Sequence, residues 1–199
     1  MTQTATYTEQ QFIQDVKEVF ASTPDAHSQA HRIAQHMQRM LAVPDWPESS
    51  IRAQGGGEPG SYILHKDKEQ GHPAPGFVLL AYINEPRKPT DIQAPHDHGA
   101  AFVVYGIASG GTIQTRYRWE YSENLEEQPS LKAWQEIDQA PGMAAYFLPG
   151  EIHNTQRRTD QPTVYVRLTS QDLGEIWRHR YDPRTFSAHG FKSPDGPQQ

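Results

Sequence analysis

Apolar residues in the first part of the chain recur at the spacing of amphipathic helices. Thr8, with Gln11 three residues later, fits a capping box at the start of a first helix, and Asp25 is the predicted N-cap of a second. The two apolar faces consist of Phe12, Val16, Val19 and Phe20, and of Ala30, Ile33, Met37, Met40 and Leu41. Prolines in the segment 44–47 end the second helix. The pattern therefore predicts two N-terminal helices within residues 1–47.

The pattern then changes to short apolar runs of strand length. Glycine and proline residues make 48–60 a predicted loop. Predicted strands cover 61–65, 77–83, 101–107, 112–119, 134–137, 143–148 and 163–169. Short strands separated by turns favour an antiparallel barrel or jelly roll. The predicted fold class is therefore all-β, preceded by two α-helices.

Length and composition narrow the class of protein. A chain of 199 residues suits one domain. Its net charge of −6 gives no basic signal, so we expect no nucleic-acid partner. The absence of cysteine excludes disulfides, a thiolate zinc site and a catalytic thiol. No apolar run reaches membrane-spanning length and the N-terminus does not resemble a signal peptide, so we expect a soluble cytoplasmic protein without a membrane partner.

One basic and aromatic segment stands apart from this acidic background. Residues 177–181 read Trp-Arg-His-Arg-Tyr, a composition that could contact nucleic acid. Because the segment is short and the chain is acidic, packing against the barrel rim or against a second copy of the chain is favoured. A homodimer is therefore a possible assembly. Residues 193–199 are predicted to be frayed.

The candidate chemistry centres on three histidines. His96 and His98 are two residues apart, so on an extended strand their side chains leave the same face. His153 follows a Pro-Gly turn further along the chain. Three neutral imidazole nitrogens with open positions around them are how catalytic first-row metals are held. The alternative is a pair of exposed loop histidines, and the third histidine behind its turn favours the metal site.

These residues resemble those of the cupin superfamily, and more narrowly its cysteine dioxygenase-like branch. The resemblance covers about 61–191 and rests on His96-Asp97-His98-Gly99, Gly110, Tyr117, Trp119, Pro149-Gly150 and His153. It implies a double-stranded β-helix (jelly-roll) barrel on which the N-terminal helices pack, as one domain overall. It also implies an Fe(II) ion held by His96, His98 and His153, and the insertion of O₂ into a thiol.

Other positions depart from that branch. The general cupin pattern places a glutamate four or five residues after the second histidine, where this chain has Phe102 and Val103, in agreement with a three-histidine site. Val103 also replaces a cysteine that some members cross-link to a tyrosine, and Leu64 replaces the arginine that reads the substrate carboxylate in cysteine-specific members. The branch's Ser-x-His-x-Tyr strand is here 165–169, Tyr-Val-Arg-Leu-Thr. We therefore predict that the protein is not specific for cysteine and does not oxidise it efficiently.

Tyr165 and Arg167 are the candidate catalytic residues. With Thr169 they share one face of a strand, which the resemblance directs toward the metal. A buried arginine needs an anionic partner, and a substrate carboxylate, phenolate or phosphate would serve. The alternative is an internal ion pair with Glu151 or Asp172. Tyr165 could donate a hydrogen bond to dioxygen or to the substrate, and the alternative is a core tyrosine with a satisfied hydroxyl.

Several neighbouring residues are weaker candidates. We interpret three tyrosines as core residues: Tyr82, Tyr105 and Tyr117. Asp97 lies between two ligands, so we expect it to point outward and cap a turn or orient backbone. Asn154 follows His153 and is a candidate to support that ligand.

The predicted function is that of a mononuclear Fe(II) dioxygenase acting on O₂ and a small anionic organic substrate. Three histidines suit zinc equally well, and manganese or nickel are possible, so a redox-inert isomerase, lyase or hydrolase is the first alternative. The second alternative is a non-catalytic cupin that binds a small molecule. The sequence shows no separate DNA-binding domain, which counts against a regulator.

Overall fold

A computed structural model describes residues 7–85, 92–121, 123, 129–182 and 187–192. Its helices are α1 (Glu9–Ser22), α2 (Ala26–Leu41) and α3 (Glu48–Ala53). Its strands are β1 (Gly60–Lys66), β2 (Val78–Asn84), β3 (Val103–Ser109), β4 (Thr112–Glu120), β5 (Ser130–Gln139), β6 (Ala144–Phe147), β7 (Ile152–Arg157), β8 (Thr163–Thr169), β9 (Arg178–Asp182) and β10 (Ser187–Phe191). The segment predicted to fray, 193–199, lies outside the described residues.

Both N-terminal helices begin at their predicted caps. Thr8 Oγ1 accepts a hydrogen bond from Gln11 N at 3.2 Å, and Gln11 Oε1 accepts one from Thr8 N at 2.9 Å, which completes the capping box. Asp25 Oδ1 accepts from Ser28 N at 2.8 Å. The predicted loop at 48–60 instead begins with α3, because Ile51 anchors this turn of helix in the core. Among the described residues, no helix has the length and apolar character needed to cross a membrane.

The strands form two antiparallel sheets and one hairpin. The strand order is β1-β2-β8-β3-β6 in the larger sheet and β5-β4-β7 in the smaller one, and β9 pairs with β10. Strands distant in sequence, such as β2 and β8, become neighbours because the chain winds alternately between the two sheets, as in jelly rolls. The predicted all-β, double-stranded β-helix fold with N-terminal helices is confirmed.

Side chains alternate along the strands of the larger sheet, so its two faces have different roles. Leu79, Val104 and Val166 lie in one buried cluster with α1 and α2. The helix residues of that cluster include Phe12, Val16, Ile33 and Met37. Because side chains alternate along a strand, Tyr105 and Tyr165 point to the other face, where they line a cavity. The helices therefore shield one face of the sheet and leave the other to the site.

Two parts of the β-structure were not predicted. The polar strand β7 lacks apolar alternation and forms because β4 pairs with it along its length, with Arg116 opposite His153. The tail forms the β9–β10 hairpin, whose first strand lies at the barrel rim, where Tyr181 N donates to Pro95 O at 2.8 Å. The sequence predicted that segment 177–181 packs against the barrel rim or against a second copy of the chain, and the structure places it at the rim.

Candidate metal centre

Backbone hydrogen bonds hold the two ligand-bearing segments together. His96 N donates to His153 O at 2.8 Å, and His153 N donates to His96 O at 2.9 Å. Gly150 N donates to Gly99 O at 3.0 Å, which joins the turns beside the ligands. Gly99 has a φ of +58°, and a Cβ there would lie 2.1 Å from the carbonyl oxygen of Trp177, so only glycine fits. The backbone therefore fixes how closely His96 and His153 approach.

The structure brings His96, His98 and His153 to one point. Their candidate ligand nitrogens all lie within 4.8 Å of one another, and their exposed fractions are 7%, 1% and 0%. His96 and His98 lie in the loop before β3, and His153 lies on β7. No other such group occurs in the part of the chain that the structure describes. A three-histidine metal site is therefore present where the sequence predicts it.

Hydrogen bonds fix the tautomers of two of these histidines. His96 Nδ1 donates to the Ala94 carbonyl at 3.1 Å, and His153 Nδ1 donates to Gln114 Oε1 at 3.0 Å. Each acceptor holds a proton on Nδ1, so the Nε2 lone pair remains for a metal. Within the described ranges, His153 Nε2 and His98 Nδ1 are buried without a hydrogen-bond partner. Buried nitrogens of this kind fit a metal, which would satisfy their lone pairs.

The electrostatic surroundings keep the three histidines neutral. Burial lowers the pKa of His96 to about 4, and the charges of Arg178, Arg167 and Arg180 act in the same direction. Burial also lowers the pKa values of His98 and His153 well below their ordinary value of 6.5. Metal binding requires neutral imidazole, so these rings need lose no proton at neutral pH before they coordinate a metal.

A cavity of about 420 Å³ opens beside His96, between the two sheets. Its lining comes from both sheets and from the hairpin, and consists of Asn84, Ile92, Gln93, His96, Tyr105, Ile107, Thr112, Gln114, Thr155, Arg157, Tyr165, Arg167, Arg178, Arg180 and Phe191. The volume lies in the range of small-molecule sites. The structure therefore places Tyr165 and Arg167 in the same cavity as the metal site. Thr169 lies on the same face of the strand as these two residues, but it is buried and does not line the cavity.

Two tyrosines of the cavity are held protonated. Burial raises the pKa of Tyr105 to about 12, and burial also raises the pKa of Tyr165. The Tyr105 hydroxyl lies 3.3 Å from His98 Nε2, and Arg167 hydrogen-bonds to Tyr105. Tyr165 is hydrogen-bonded to Asn84. Tyr105 is a buried core residue, as interpreted from the sequence, and its hydroxyl also reaches the metal site.

Glu151 and Asp172, the two acids that could have formed an ion pair with Arg167, interact with other groups. Glu151 Oε2 accepts a hydrogen bond from Leu148 N at 2.7 Å, and Oε1 lies 3.8 Å from Arg116 Nη1. Asp172 forms an ion pair with Lys66. Both acids are thus engaged elsewhere, and Arg167 lines the cavity.

Asp97 points away from the metal site, as predicted. Its Oδ1 accepts from Gly99 N and His179 N, both at 2.9 Å, and its Oδ2 accepts from the Tyr181 hydroxyl at 2.6 Å. Burial disfavours the charged carboxylate, but the hydrogen bonds from Tyr181, Gly99 and His179 outweigh burial and lower the pKa of Asp97. The residue between two ligands therefore attaches strand β9 to the ligand loop.

Asn154 does not support His153 as the sequence suggested. It follows His153 on a strand, so its side chain leaves the other face, where Nδ2 donates to the Tyr117 hydroxyl at 2.8 Å. Gln114 on β4 supports the ligand instead. Sequence reasoning missed Gln114, because its role depends on the register between β4 and β7.

Three cavity arginines were also missed by sequence reasoning: Arg157, Arg178 and Arg180. The basic composition of 177–181 was a signal for the last two, although it did not show that they face the cavity. Arg157 lies on β7, a strand that the sequence pattern did not predict.

Comparison with known proteins identifies no family by sequence. No protein-family model and no curated protein matches the chain. Among solved structures, an uncharacterized conserved protein with a double-stranded β-helix domain from Klebsiella pneumoniae matches with 14% identity and a TM-score of 0.37, over 69% of this chain and 81% of that one. Oxalate oxidase matches with 12% identity and a TM-score of 0.36, over 58% and 53%.

A further similar structure is oxalate decarboxylase from Bacillus subtilis, a protein with Mn(II) centres. It matches with 15% identity and a TM-score of 0.38, over 58% of this chain and 26% of that one. Structures this dissimilar in sequence and in superposition give no information about the activity of this chain. The strand order and the three histidines described above define the class, which is a double-stranded β-helix protein with a three-histidine metal site.

Proposed function

We propose that the chain is a mononuclear non-haem Fe(II) dioxygenase that acts on a small anionic organic substrate in the cavity. The observation that carries the proposal is a group of three neutral histidines whose ligand nitrogens lie within 4.8 Å of one another, one of which, His96, lines a cavity that arginines also line. No fourth acidic, histidine or cysteine ligand joins the group among the described residues, so positions for substrate and O₂ stay open. The proposed enzyme resembles cysteine dioxygenase-type enzymes but is not specific for cysteine.

His96, His98 and His153 would hold the metal, and Fe(II) would supply the binding and activation of O₂. The remaining residues of the cavity then have separate tasks. Gln114 orients His153 by accepting a hydrogen bond from the Nδ1 proton of the His153 ring. Arg167 binds an anionic group of the substrate through charge-assisted hydrogen bonds. Tyr105 and Tyr165 hold phenolic protons at neutral pH and can donate them as hydrogen bonds to substrate or dioxygen oxygens.

A redox-inert reaction is the second candidate function, because the ligand set does not select iron. Imidazole suits zinc and nickel as well as iron, and manganese would also fit an open site. Such a metal would polarise a substrate carbonyl or lower the pKa of bound water, and the reaction would be an isomerisation, lyase reaction or hydrolysis. The same arginine and tyrosine residues would bind the substrate.

Metal analysis and oxygen uptake separate these proposals. The protein is purified anaerobically without added ions, its metal is measured, and samples are then loaded separately with Fe(II), Zn(II), Mn(II) or Ni(II). O₂ consumption is followed with small thiol-bearing and thiol-free acids, with His153→Ala as the inactive control. O₂ uptake that requires Fe(II) and a small acid supports the dioxygenase. Turnover with zinc in the absence of O₂ supports the redox-inert reaction and overturns the first proposal.

A further inference from the structure

Phe147 packs with the face of its ring against the metal ligand His153. The centres of the two rings lie 3.9 Å apart, and their planes are inclined by only 21°. Both side chains are fully buried, with Phe147 on β6 of the larger sheet and His153 on β7 of the smaller one. Contact between two aromatic rings stabilises their arrangement beyond the burial of their surface. Phe147 therefore restrains the tilt of the His153 ring.

This ring contact complements the hydrogen bond from His153 to Gln114. Because hydrogen bonds prefer a nearly linear N–H···O arrangement, the acceptor Gln114 Oε1, 3.0 Å from Nδ1, restrains rotation within the imidazole plane. The bond leaves the ring free to tilt about the line that joins these two atoms. Phe147 lies against the face of the imidazole and limits that tilt. The two neighbours therefore restrain the ligand in different directions.

Arg116 supports Phe147 from β4. It lies directly opposite His153 in the pairing of β4 with β7, so both side chains leave the same face of the smaller sheet. The guanidinium carbon of Arg116 lies 5.0 Å from the centre of the Phe147 ring. Its Nη2 donates to the carbonyl of Tyr146, the residue before Phe147, at 2.5 Å. Arg116 therefore connects the two sheets at the residue that contacts the ligand.

The interior of the barrel packs around the same phenylalanine. Phe147 belongs to a buried cluster with Val103 and Tyr105. The Tyr105 ring is edge-on to it, with the ring centres 6.1 Å apart and the planes inclined by 73°. A side chain in a close-packed interior has little room to move. Phe147 therefore offers His153 a rigid surface.

We propose that Phe147 is a positioning residue of the metal site, and that Arg116 holds it in place. Phe147 keeps the His153 ring, before any metal binds, in the orientation that it has beside the other two histidines. This inference rests on the proposed function only in taking the three histidines as metal ligands, and it is independent of which metal or substrate they serve. A ligand that is ordered in advance loses less freedom when it coordinates. Loss of the ring contact should therefore weaken metal binding roughly two- to tenfold, the equivalent of one aromatic pair.

The experiment removes the ring and keeps an apolar side chain, in Phe147→Leu. Zn(II) affinity is measured by titration against a competing chelator, and the visible absorption spectrum of Co(II)-loaded protein reports the geometry of the ligands. Phe12→Leu on α1 is the matched control, because Phe12 is also fully buried but belongs to the cluster between the helices and the larger sheet. We expect Phe147→Leu to lower Zn(II) affinity roughly two- to tenfold and to alter the Co(II) spectrum. Phe12→Leu should lower the melting temperature and change neither.

A second variant, Arg116→Lys, decides the matter if Phe147→Leu does not fold. It keeps the positive charge, which acts with burial and His96 to lower the pKa of His153, but it lacks the planar guanidinium that contacts Phe147 and Tyr146. It should lower Zn(II) affinity and alter the Co(II) spectrum in the same direction as Phe147→Leu.

The outcomes are separable from those of the proposed function. Unchanged Zn(II) affinity and an unchanged Co(II) spectrum in the folded variant, whether Phe147→Leu or Arg116→Lys, overturn the positioning role and leave the proposed function standing. An equal loss of Zn(II) affinity in Phe12→Leu also overturns it, because the effect would then follow from lower stability alone. Failure of the unaltered protein to bind any metal would instead overturn the proposed function.

Discussion

Gln114 Oε1 accepts a hydrogen bond from His153 Nδ1 at 3.0 Å, across the pairing of β4 with β7. The same oxygen accepts a hydrogen bond from Thr155 Oγ1 at 2.9 Å. The two donors hold the amide in one orientation, and the amide in turn holds the ring proton of His153 on Nδ1. One buried side chain on a neighbouring strand thus determines which nitrogen of a ligand remains available.

Gln114→Met should weaken metal binding without abolishing it. Loss of an acceptor that orients a ligand costs roughly ten- to a hundredfold in metal affinity. Gln114→Glu retains an acceptor oxygen and should recover most of that affinity. Titration with Zn(II) measures both variants, with Gln38→Met on the exposed side of α2 as the control. Equal affinity in Gln114→Met and the unaltered protein would show that Gln114 plays no part in holding the ligand.

Replacement of any one of His96, His98 and His153 by alanine should sharply lower the metal content. The three nitrogens lie within 4.8 Å of one another, so each variant leaves two ligands for an ion that needs three. Metal per protein chain is measured after purification, with the exposed His31→Ala as the control. Retention of a full equivalent of metal in two of the three variants would place the metal elsewhere.

Arg167→Met should leave the metal content and the fold nearly intact while raising KM for an anionic substrate. A charge-assisted hydrogen bond to bound substrate contributes about 1.5–3 kcal/mol, which corresponds to roughly ten- to a hundredfold in affinity. Arg158→Met is the matched control, because Arg158 is exposed and pairs with Asp138 at 2.7 Å on the outside of the barrel. An unchanged KM in Arg167→Met would contradict the anion-binding role.

Metal-free protein should lose stability as the pH falls from about 6.5 to about 4. Burial lowers the pKa of His96 from its ordinary 6.5 to about 4. Over that range the unfolded chain binds more protons than the folded protein. The free energy of unfolding therefore decreases as the pH is lowered, by about 3 kcal/mol for His96 alone. Above pH 6.5 this residue makes no pH-dependent contribution.

Urea unfolding at several pH values measures this slope, and His96→Gln should make it shallower. The pKa values of Asp67 and Asp97 are lowered from the ordinary 3.8, so the stability that these carboxylates contribute is lost as the pH falls below about 5, and the histidine effect is measured between about pH 6.5 and 5. The same slope in His96→Gln would show that His96 does not titrate as described.

Fe(II)-loaded protein should not oxidise free cysteine efficiently. In the resemblance to the cysteine dioxygenase-like branch, Tyr165, Arg167 and Thr169 fall on the strand where its cysteine-specific members carry Ser-x-His-x-Tyr. Leu64 stands where those enzymes carry an arginine, and here it packs toward the helix-side core. Oxygen consumption with cysteine as the only substrate tests this, and rapid uptake would show that these differences do not decide specificity.

Local geometry accounts for the residues that the sequence grouped together and that lie together in the structure. His96 and His98 share a face because side chains alternate, and the same rule places Tyr165 and Arg167 together on β8. The first helix was predicted because its cap, Thr8, lies within three residues of its partner. Such local features can be predicted from the sequence without knowing which distant strands pair.

The residues that it missed depend on pairing between distant segments. Gln114 supports His153 only through the register of β4 with β7, and nothing in the sequence around either residue indicates that register. Arg178 faces the cavity because β9 is attached to the ligand loop through Asp97. Asn154 follows His153 directly in sequence, but neighbouring strand residues face opposite ways, so proximity to a ligand does not predict contact with it.

The attachment of β9 to Asp97 also sets an order of assembly. A chain is synthesised from its N-terminus, so His96, His98 and His153 all leave the ribosome before Arg178 does. A barrel that folds as it emerges would acquire its metal ligands and Arg167 first and the rim strand β9 last, when the backbone N–H of His179 and the hydroxyl of Tyr181 bind the carboxylate of Asp97.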